Sequence, residues 1–213
     1  MIRVVLVDDH ELVRTGFRMI LAQQGGIEVI GEAADGDEGL ALIRRLEPEV
    51  AIVDVHMPRL SGIELTDRVR KYKLATRIVV LTMVSESPFP RRLIEAGASG
   101  YLTKGCAADE LVRAVRTVAD GKRYLSPDIA AALALGQFDG SGQSPFDALS
   151  ARELDVALML ARGSTMQDIA ARLKLSAKTV ATYKYRLYDK LQIDNPVALA
   201  SLARRHALLD EPG

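Results

Sequence analysis

The sequence predicts an α/β chain: a five-stranded, doubly wound parallel sheet followed by a smaller, all-α domain. Three observations lead there. From residue 3 to about 119, short β-rich runs alternate with amphipathic helical stretches, the pattern of a parallel sheet covered by helices. Several of these runs are almost wholly apolar, as strands buried on both faces are. After "GQFDGSGQSP", which has the composition of a linker, residues 149–209 carry no strand pattern at all.

The first element is strand 3–8, whose apolar run "VVLV" ends on two consecutive carboxylates, Asp8 and Asp9. Helix 10–23 follows, then strand 28–33, helix 37–46, strand 50–54, helix 62–71, strand 78–82, helix 88–96, strand 100–103 and helix 107–119. Five βα units in one doubly wound sheet suit a flavodoxin-like strand order. Residues 120–145 lose the β-rich runs and hold a short helical stretch at 128–135. Ser150 and Glu153 then form a capping box before "LDVALMLA", and Gly163 stops that helix. Thr165 caps a short helix holding Ile169, Ala170 and Leu173, and Ser176 caps a longer one running to Leu191. Asn195 and Pro196 open a fourth. Helix, short helix, turn and longer helix is the order of a helix-turn-helix. The predicted domains are therefore 1–120, a linker with a short helix at 121–145, and 146–213.

The totals narrow the function classes. Of 213 residues 48% are hydrophobic, ample for a packed core, which excludes a disordered chain. Lys plus Arg and Asp plus Glu each number 28, so no overall field announces a nucleic acid or a membrane, and any such signal must be local. Cys106, the single cysteine, cannot form an internal disulfide, and Met1 leads straight into a strand without a charged and apolar leader. No apolar stretch approaches the ~18 residues of a membrane span. These features predict a cytoplasmic protein with no membrane partner.

In a doubly wound sheet, ligands gather outside the carboxyl ends of the strands. The predicted strands place Asp8 and Asp9 at the end of the first, Asp54 at the end of the third, Thr82 at the end of the fourth and Lys104 just past the fifth. Like charges at roughly 4 Å repel by about 4 kcal/mol if the effective dielectric is near 20, so three converging carboxylates need a cation. All-oxygen ligation by few protein groups, with room for water, suits Mg²⁺ better than zinc. Lys104 adds a second positive charge and Thr82 a hydroxyl donor. With one carboxylate as acceptor, such a site would take a phosphoryl group, a known use of Asp as a covalent nucleophile.

The stretches "VDDH", "DVHMPRLSGIE", "VVLT" and "GYLTKG" sit at successive strand ends, and over roughly residues 1–118 the chain resembles the receiver domain of bacterial two-component response regulators. The resemblance implies that Asp54 takes a phosphoryl group from a sensor histidine kinase. It implies that Asp8, Asp9, Asp54 and the backbone carbonyl of His56 hold Mg²⁺, and that Lys104 pairs with the phosphate. Thr82 and Tyr101 become the pair whose rearrangement reports phosphorylation. Two departures stand out: Gly105 where many receivers have proline, and Met83 where many have a small residue. The bulk of Met83 predicts slower entry of small phosphodonors.

Charge is concentrated in one place, since residues 172–190 hold six basic side chains and one acid, Asp189. At 100° per residue, Val180, Leu187 and Leu191 share a face that should pack on the preceding helices. Lys178, Ala181, Thr182, Tyr185 and Arg186 fall opposite, where a recognition helix meets the major groove, and Thr179 joins them as a DNA contact. Lys184 and Lys190 flank the packed stripe and are assigned to phosphates. On charge alone, a solvated face is the simpler account.

The segment "LSARELDVALMLARGSTMQDIAARLKLSAKTVATYKYRLYDKL" changes the balance, because it resembles the LuxR-type helix-turn-helix of the NarL/FixJ family. Tyr183 and Pro196 depart from that family's common pattern and resemble its GacA/UvrY/SirA branch of global regulators, as do "ESPFPRRLIEAGASGYLTKG", "RYLSP" and "SPFDALS". What this implies is a phosphorylation-activated transcription factor, a homodimer on two-fold related double-stranded DNA, with RNA polymerase as a further candidate partner. Genes of small regulatory RNAs are the typical targets of that branch. The sequence does not choose between dimerisation and release of a masked recognition helix.

A competing function is an aspartate-nucleophile phosphatase. Enzymes of the haloacid dehalogenase type need D-x-D at the first strand, whereas here adjacent aspartates precede His10 and Glu11. Neither G-x-x-x-x-G-K-[ST] nor G-x-G-x-x-G occurs, so nucleotide binding lacks a cradle. His10, His56 and His206 lack the spacing of a zinc site, and Cys106 is more simply a small residue than a reactive thiol. Tyr101, without the resemblance, is a half-buried strand aromatic. The stripe Leu199, Leu202 and Ala203 is either core or a dimer surface.

Overall fold

Strands covered on both faces need apolar residues at every position, and the runs ending at Val7 and Asp54 fold accordingly. In β1 (Ile2–Val7) and β3 (Val50–Asp54) the side chains from Val4 and Val50 onward are all buried. The computed structural model describes residues 1–57, 59–82, 94, 96–127, 129–131, 144–173, 175–206 and 208–209. These separate into two compact units, 1–131 and 144–209. In the first, β1 is followed by α1 (Glu11–Ala22), β2 (Ile27–Ala33), α2 (Gly36–Leu46), β3, α3 (Gly62–Lys71), β4 (Arg77–Thr82), β5 (Gly100–Thr103), α4 (Ala108–Ala119) and β6 (Tyr124–Leu125). The sheet order is β2-β1-β3-β4-β5-β6 and every neighbouring pair is parallel. Predicted and observed boundaries differ by a residue at most for each of these elements that the sequence predicts.

The predicted five strands are six. Tyr124–Leu125 joins the edge of the sheet through hydrogen bonds from the Tyr124 and Ser126 amides to the Ser99 and Tyr101 carbonyls, at 3.0 and 3.1 Å. Two residues are too few to show an alternation, which is why this stretch reads as linker in the sequence. The predicted helices at 88–96 and 128–135 lie largely outside the described residues, as does Met83.

On one face of the sheet, Val4, Leu6, Ile52, Val79, Leu81 and Leu102 pack with Phe17 and Leu21 of α1 and Leu111, Val115 and Val118 of α4. On the other, α2 approaches so closely at Gly39 that an added Cβ would lie 2.5 Å from Val7. Burial of this kind contributes about 1.5–3 kcal/mol per large aliphatic side chain. Two glycines set the loop beside the acidic rim. A Cβ on Gly36 would sit 2.0 Å from the Leu60 carbonyl oxygen, and one on Gly62 2.1 Å from that of Asp54. No L side chain fits there. The second contact brings the start of α3 against the last residue of β3, and a Ser61–Glu64 capping box fixes the helix entry.

The second unit opens with a 3₁₀ turn (Pro145–Ala148) and continues through α5 (Ala151–Ala161), α6 (Met166–Leu173), α7 (Ala177–Leu191) and α8 (Pro196–Arg205). Every predicted cap forms. Ser150 and Glu153 make a full capping box, and Thr165, Ser176 and Asn195 accept from the amides of Asp168, Thr179 and Ala198. Leu154, Leu158, Ile169, Leu173, Val180, Leu187 and Leu199 are buried within the unit. Leu199 and Ala203 are fully buried, so those two positions of the stripe are core. Phe146 meets the His206 ring edge-on at 6.1 Å. No described helix is long and apolar enough to cross a membrane.

Candidate functional site

The strand order brings the ends of β1 and β3 side by side and that of β5 two strands further along, and there the predicted residues meet. Asp8 and Asp54 are each only 2% exposed, and the Lys104 ammonium bridges them, 2.8 Å from Asp8 Oδ2 and 3.0 Å from Asp54 Oδ2. One cation therefore serves two buried carboxylates while a third, Asp9, lies beside them. The electrostatics register the shortfall. Burial, and then the neighbouring Asp8 charge, push the Asp54 carboxyl up to about 6, against the pull of Lys104 and His56. Burial alone would lower Lys104, but Asp54 and Asp8 outweigh it and hold the ammonium above its ordinary value. The ligand atoms of Asp8, Asp9, His10 and Asp54 all fall within 4.8 Å of one another. A hard divalent cation fits this donor set, since it would relieve a repulsion that Lys104 only partly offsets.

Thr82 ends β4 in register with Thr103, and its side chain lies outside what is described. Tyr101 is fully buried, at 1% exposure, rather than half-buried. Tertiary packing at that depth could not be read from one aromatic in a short strand. His56 lies two residues beyond Asp54, close enough to lower its pKa. Gly105 sits in the turn after Lys104 with open space where a Cβ would be, and the Cys106 amide closes the turn on the Thr103 carbonyl at 3.0 Å. Burial and Glu110 push the Cys106 thiol up to about 11, so it carries no thiolate at neutral pH.

Two residues escaped the sequence analysis. His10, set aside for lack of ligand spacing, faces the acidic pair, with Nδ1 2.8 Å from Asp9 Oδ1 and its amide donating to Asp8 Oδ1 at 2.8 Å. Its adjacency to Asp9 was the signal available. Arg14 donates through Nη1 to the Asp8 carbonyl at 2.6 Å, a contact across a turn that nothing in its helical position announces.

In the helical unit, α7 buries Val180, Leu187, Tyr188 and Leu191 and leaves Lys178, Thr182, Tyr185 and Arg186 exposed on the opposite side. Tyr185 is 75% exposed, which leaves its ring open on that side of the helix. Thr179, Ala181 and Lys184 are partly exposed, and the Lys184 ammonium lies over the Tyr188 ring, 5.3 Å from its centre. Lys190 is also engaged within the fold. Its ammonium is 2.6 Å from Glu153 Oε2, and that carboxylate is nearly buried at the cap of α5. A helical projection places Lys190 beside the packed stripe but cannot show an acid on another helix.

Burial would raise the Glu153 carboxyl, but Lys190 and the Ser150 bonds hold it below its ordinary value. An acid lowered in this way adds stability above its unfolded pKa, and that stability is lost as pH falls through the lower folded value. Lys190→Ala should thus lower the melting temperature by a few degrees at pH 7, about 1 kcal/mol after discounting for solvent screening. The slope of log affinity for DNA against log salt should stay at the wild-type value. Lys184→Ala should instead flatten it by about one unit, as loss of a phosphate contact does.

A parallel α/β sheet with a lysine-bridged acid cluster at its carboxyl rim, carried on the same chain as a helix-turn-helix with an exposed basic face, defines a signalling regulator with a DNA-binding output. Residues 4–116 match the model of the response regulator receiver domain, and residues 147–203 that of bacterial regulatory proteins of the luxR family. The chain is 47% identical to the response regulator GacA of Pseudomonas protegens over 210 residues, covering 99% of each. It is 44% identical to the response regulator UvrY of Escherichia coli K12 over 209 residues, covering 98% of this chain and 96% of that one. Among solved structures, RcsB of Salmonella enterica serovar Typhimurium, bound to promoter P1flhDC in the presence of the phosphomimetic BeF3-, aligns with a TM-score of 0.67 at 26% identity, over 94% of this chain and 97% of that one. This chain belongs to the bacterial response regulators that pair a receiver with a LuxR-type helix-turn-helix.

Proposed function

We propose that Asp54 accepts a phosphoryl group from a sensor histidine kinase, and that this switches sequence-specific binding of α7 to double-stranded DNA. The observation that carries the proposal is the Lys104 bridge between Asp8 and Asp54, because it sets a nucleophilic carboxylate and an anion-pairing ammonium 3.0 Å apart at one strand rim. Asp8, Asp9, Asp54 and the backbone carbonyl of His56 would hold Mg²⁺. When bound, the ion supplies the positive charge that lets a phosphoryl oxygen approach three carboxylates. Asp54 attacks phosphorus and the donor leaves. Lys104 then pairs with the new phosphoryl oxygens through charge-assisted bonds.

Thr82 and Tyr101 relay the change. Tyr101 already lies inside, so phosphorylation would hold it there by shifting a population rather than draw it in from the surface. Moving such an equilibrium from mostly inactive to mostly active takes about 5.5 kcal/mol of differential stabilisation. The product is the protein's own acyl phosphate, slowly lost, with no turnover of an external substrate. The receiver would occupy 1–120 together with β6, the linker the residues up to about 145, and the DNA-binding domain 146–213. Action in the cytoplasm as a homodimer, contact with RNA polymerase and control of small regulatory RNA genes complete the proposal, supported by the likeness to GacA and UvrY.

The test supplies acetyl phosphate and Mg²⁺ to the full chain. One acid-stable, base-labile phosphoryl group per chain is expected, with tighter binding to operator than before. Continuing hydrolysis of a foreign phosphoester would favour the phosphatase instead. Tyr185→Ala should reduce the ratio of operator to random-DNA affinity at matched salt, by the roughly 1–3 kcal/mol that a base contact is worth. An undiminished ratio removes Tyr185 from the groove.

A further inference from the structure

We infer that Arg14 is a positioning residue of the acidic pocket: its guanidinium locks the main chain of Asp8 in the conformation that lets Asp8, Asp9 and Asp54 converge on one cation. The role of that cation rests on the function proposed above, whereas the lock is a feature of the protein alone.

Asp8 is the residue at which the chain leaves the sheet. Its amide still bonds as strand, to the Ala33 carbonyl at 3.1 Å, but its carbonyl points into the turn, where the Arg14 Nη1 donor meets it at 2.6 Å. With both main-chain groups held, the carboxylate is then oriented. Oδ1 accepts from the His10 amide at 2.8 Å, which leaves Oδ2 facing Lys104 at 2.8 Å. The arginine is itself held from behind. Its Nε lies 3.6 Å from Glu32 Oε2 near the end of β2, and Arg18 braces the other oxygen of Glu32 at 3.3 Å. The Arg14 side chain is largely buried by these contacts.

A guanidinium suits the task because one arm of its planar fork can donate to a carbonyl in a fixed direction while its charge pairs with a carboxylate behind, whereas a lysine offers a mobile point charge. Groups that orient ligands from outside typically affect metal affinity about 10- to 100-fold.

The experiment compares full-length wild type, Arg14→Gln and Arg14→Lys, all unphosphorylated. Glutamine keeps a helix propensity near that of arginine, so α1 itself is not at issue. Two readouts are taken: the Mg²⁺ dissociation constant by titration calorimetry, and metal-free amide hydrogen exchange at His10 and along β3. For Arg14→Gln the expected results are about tenfold weaker Mg²⁺ binding and about tenfold faster exchange of the His10 amide, with β3 exchange as in wild type. Arg14→Lys should recover less than half of either effect on a logarithmic scale. Unchanged exchange at His10 in Arg14→Gln overturns the inference, and so does acceleration shared equally by β3, which would be general loss of stability. If wild type binds no Mg²⁺, the proposed function of the pocket fails, while the exchange comparison still decides the role of Arg14.

Discussion

Replacing Lys104 with methionine is expected to destabilise the metal-free protein by about 3–5 kcal/mol at pH 7.5, the usual cost of removing one partner from a buried charge cluster. Methionine nearly fills the space of the lysine stem, so the loss is that of the ammonium. Asp8 and Asp54 would then face each other uncompensated in a site almost closed to water. Two measurements separate this account from a packing defect. Lowering the pH to about 5 should recover much of the loss, because one of the two acids can take up a proton and end the repulsion. Adding Mg²⁺ at 100 times its dissociation constant should stabilise by about 2.7 kcal/mol, as any ligand of the folded state does at that excess. A variant whose melting temperature responds to neither would show that Lys104 acts by shape alone. Phosphoryl uptake should be lost or greatly slowed even where the fold is restored, since the anion loses its pairing charge.

Asp54→Asn carries the second large effect, and its sign is the reverse. The Asp54 carboxyl is pushed up to about 6 in the fold from an ordinary 3.8, so the folded protein disfavours its ionised form. An acid raised in this way costs nothing below its unfolded pKa. The penalty grows as pH rises from about 4 to 6 and is fully present above the folded value. That rise corresponds to about 3 kcal/mol. Asparagine keeps the shape and removes the charge. The metal-free variant should therefore melt several degrees above wild type at pH 7.5 and within a degree of it near pH 4. Saturating Mg²⁺ should narrow or invert the gap at pH 7.5, since only wild type keeps the full ligand set. Labelling by acetyl phosphate should vanish. A variant less stable than wild type at pH 7.5 without metal would mean that the raised carboxyl is not a source of strain, and one that still labels fully would dismiss Asp54 as the acceptor.

Much of this was legible in the chain. Runs such as "VVLV" and "VAIVD" carry the signature of strands buried on both sides, and the caps at Ser150, Thr165, Ser176 and Asn195 announce helix starts through local hydrogen bonds. What could be read was local, either a period of two or 3.6 residues or a bond spanning three. The strand β6 was not legible because its two residues pair with a partner 24 positions earlier, Gly100 with Tyr124. The ion pair of Lys190 was not legible for a related reason, since its partner Glu153 lies 37 residues away on another helix.

The sequence by itself determined which residues could form the acidic rim, because strand ends are set by local patterning and a parallel sheet gathers those ends on one edge. It likewise determined which side of α7 is basic. Only the tertiary structure decided how the charges are shared: Lys104 between Asp8 and Asp54, Arg14 on the Asp8 main chain, Lys190 on Glu153. The physical reason is range. Propensity and periodicity act over a few neighbouring residues, whereas Coulombic and hydrogen-bonded partners are chosen by whichever groups packing leaves within about 3 Å, wherever they lie along the chain.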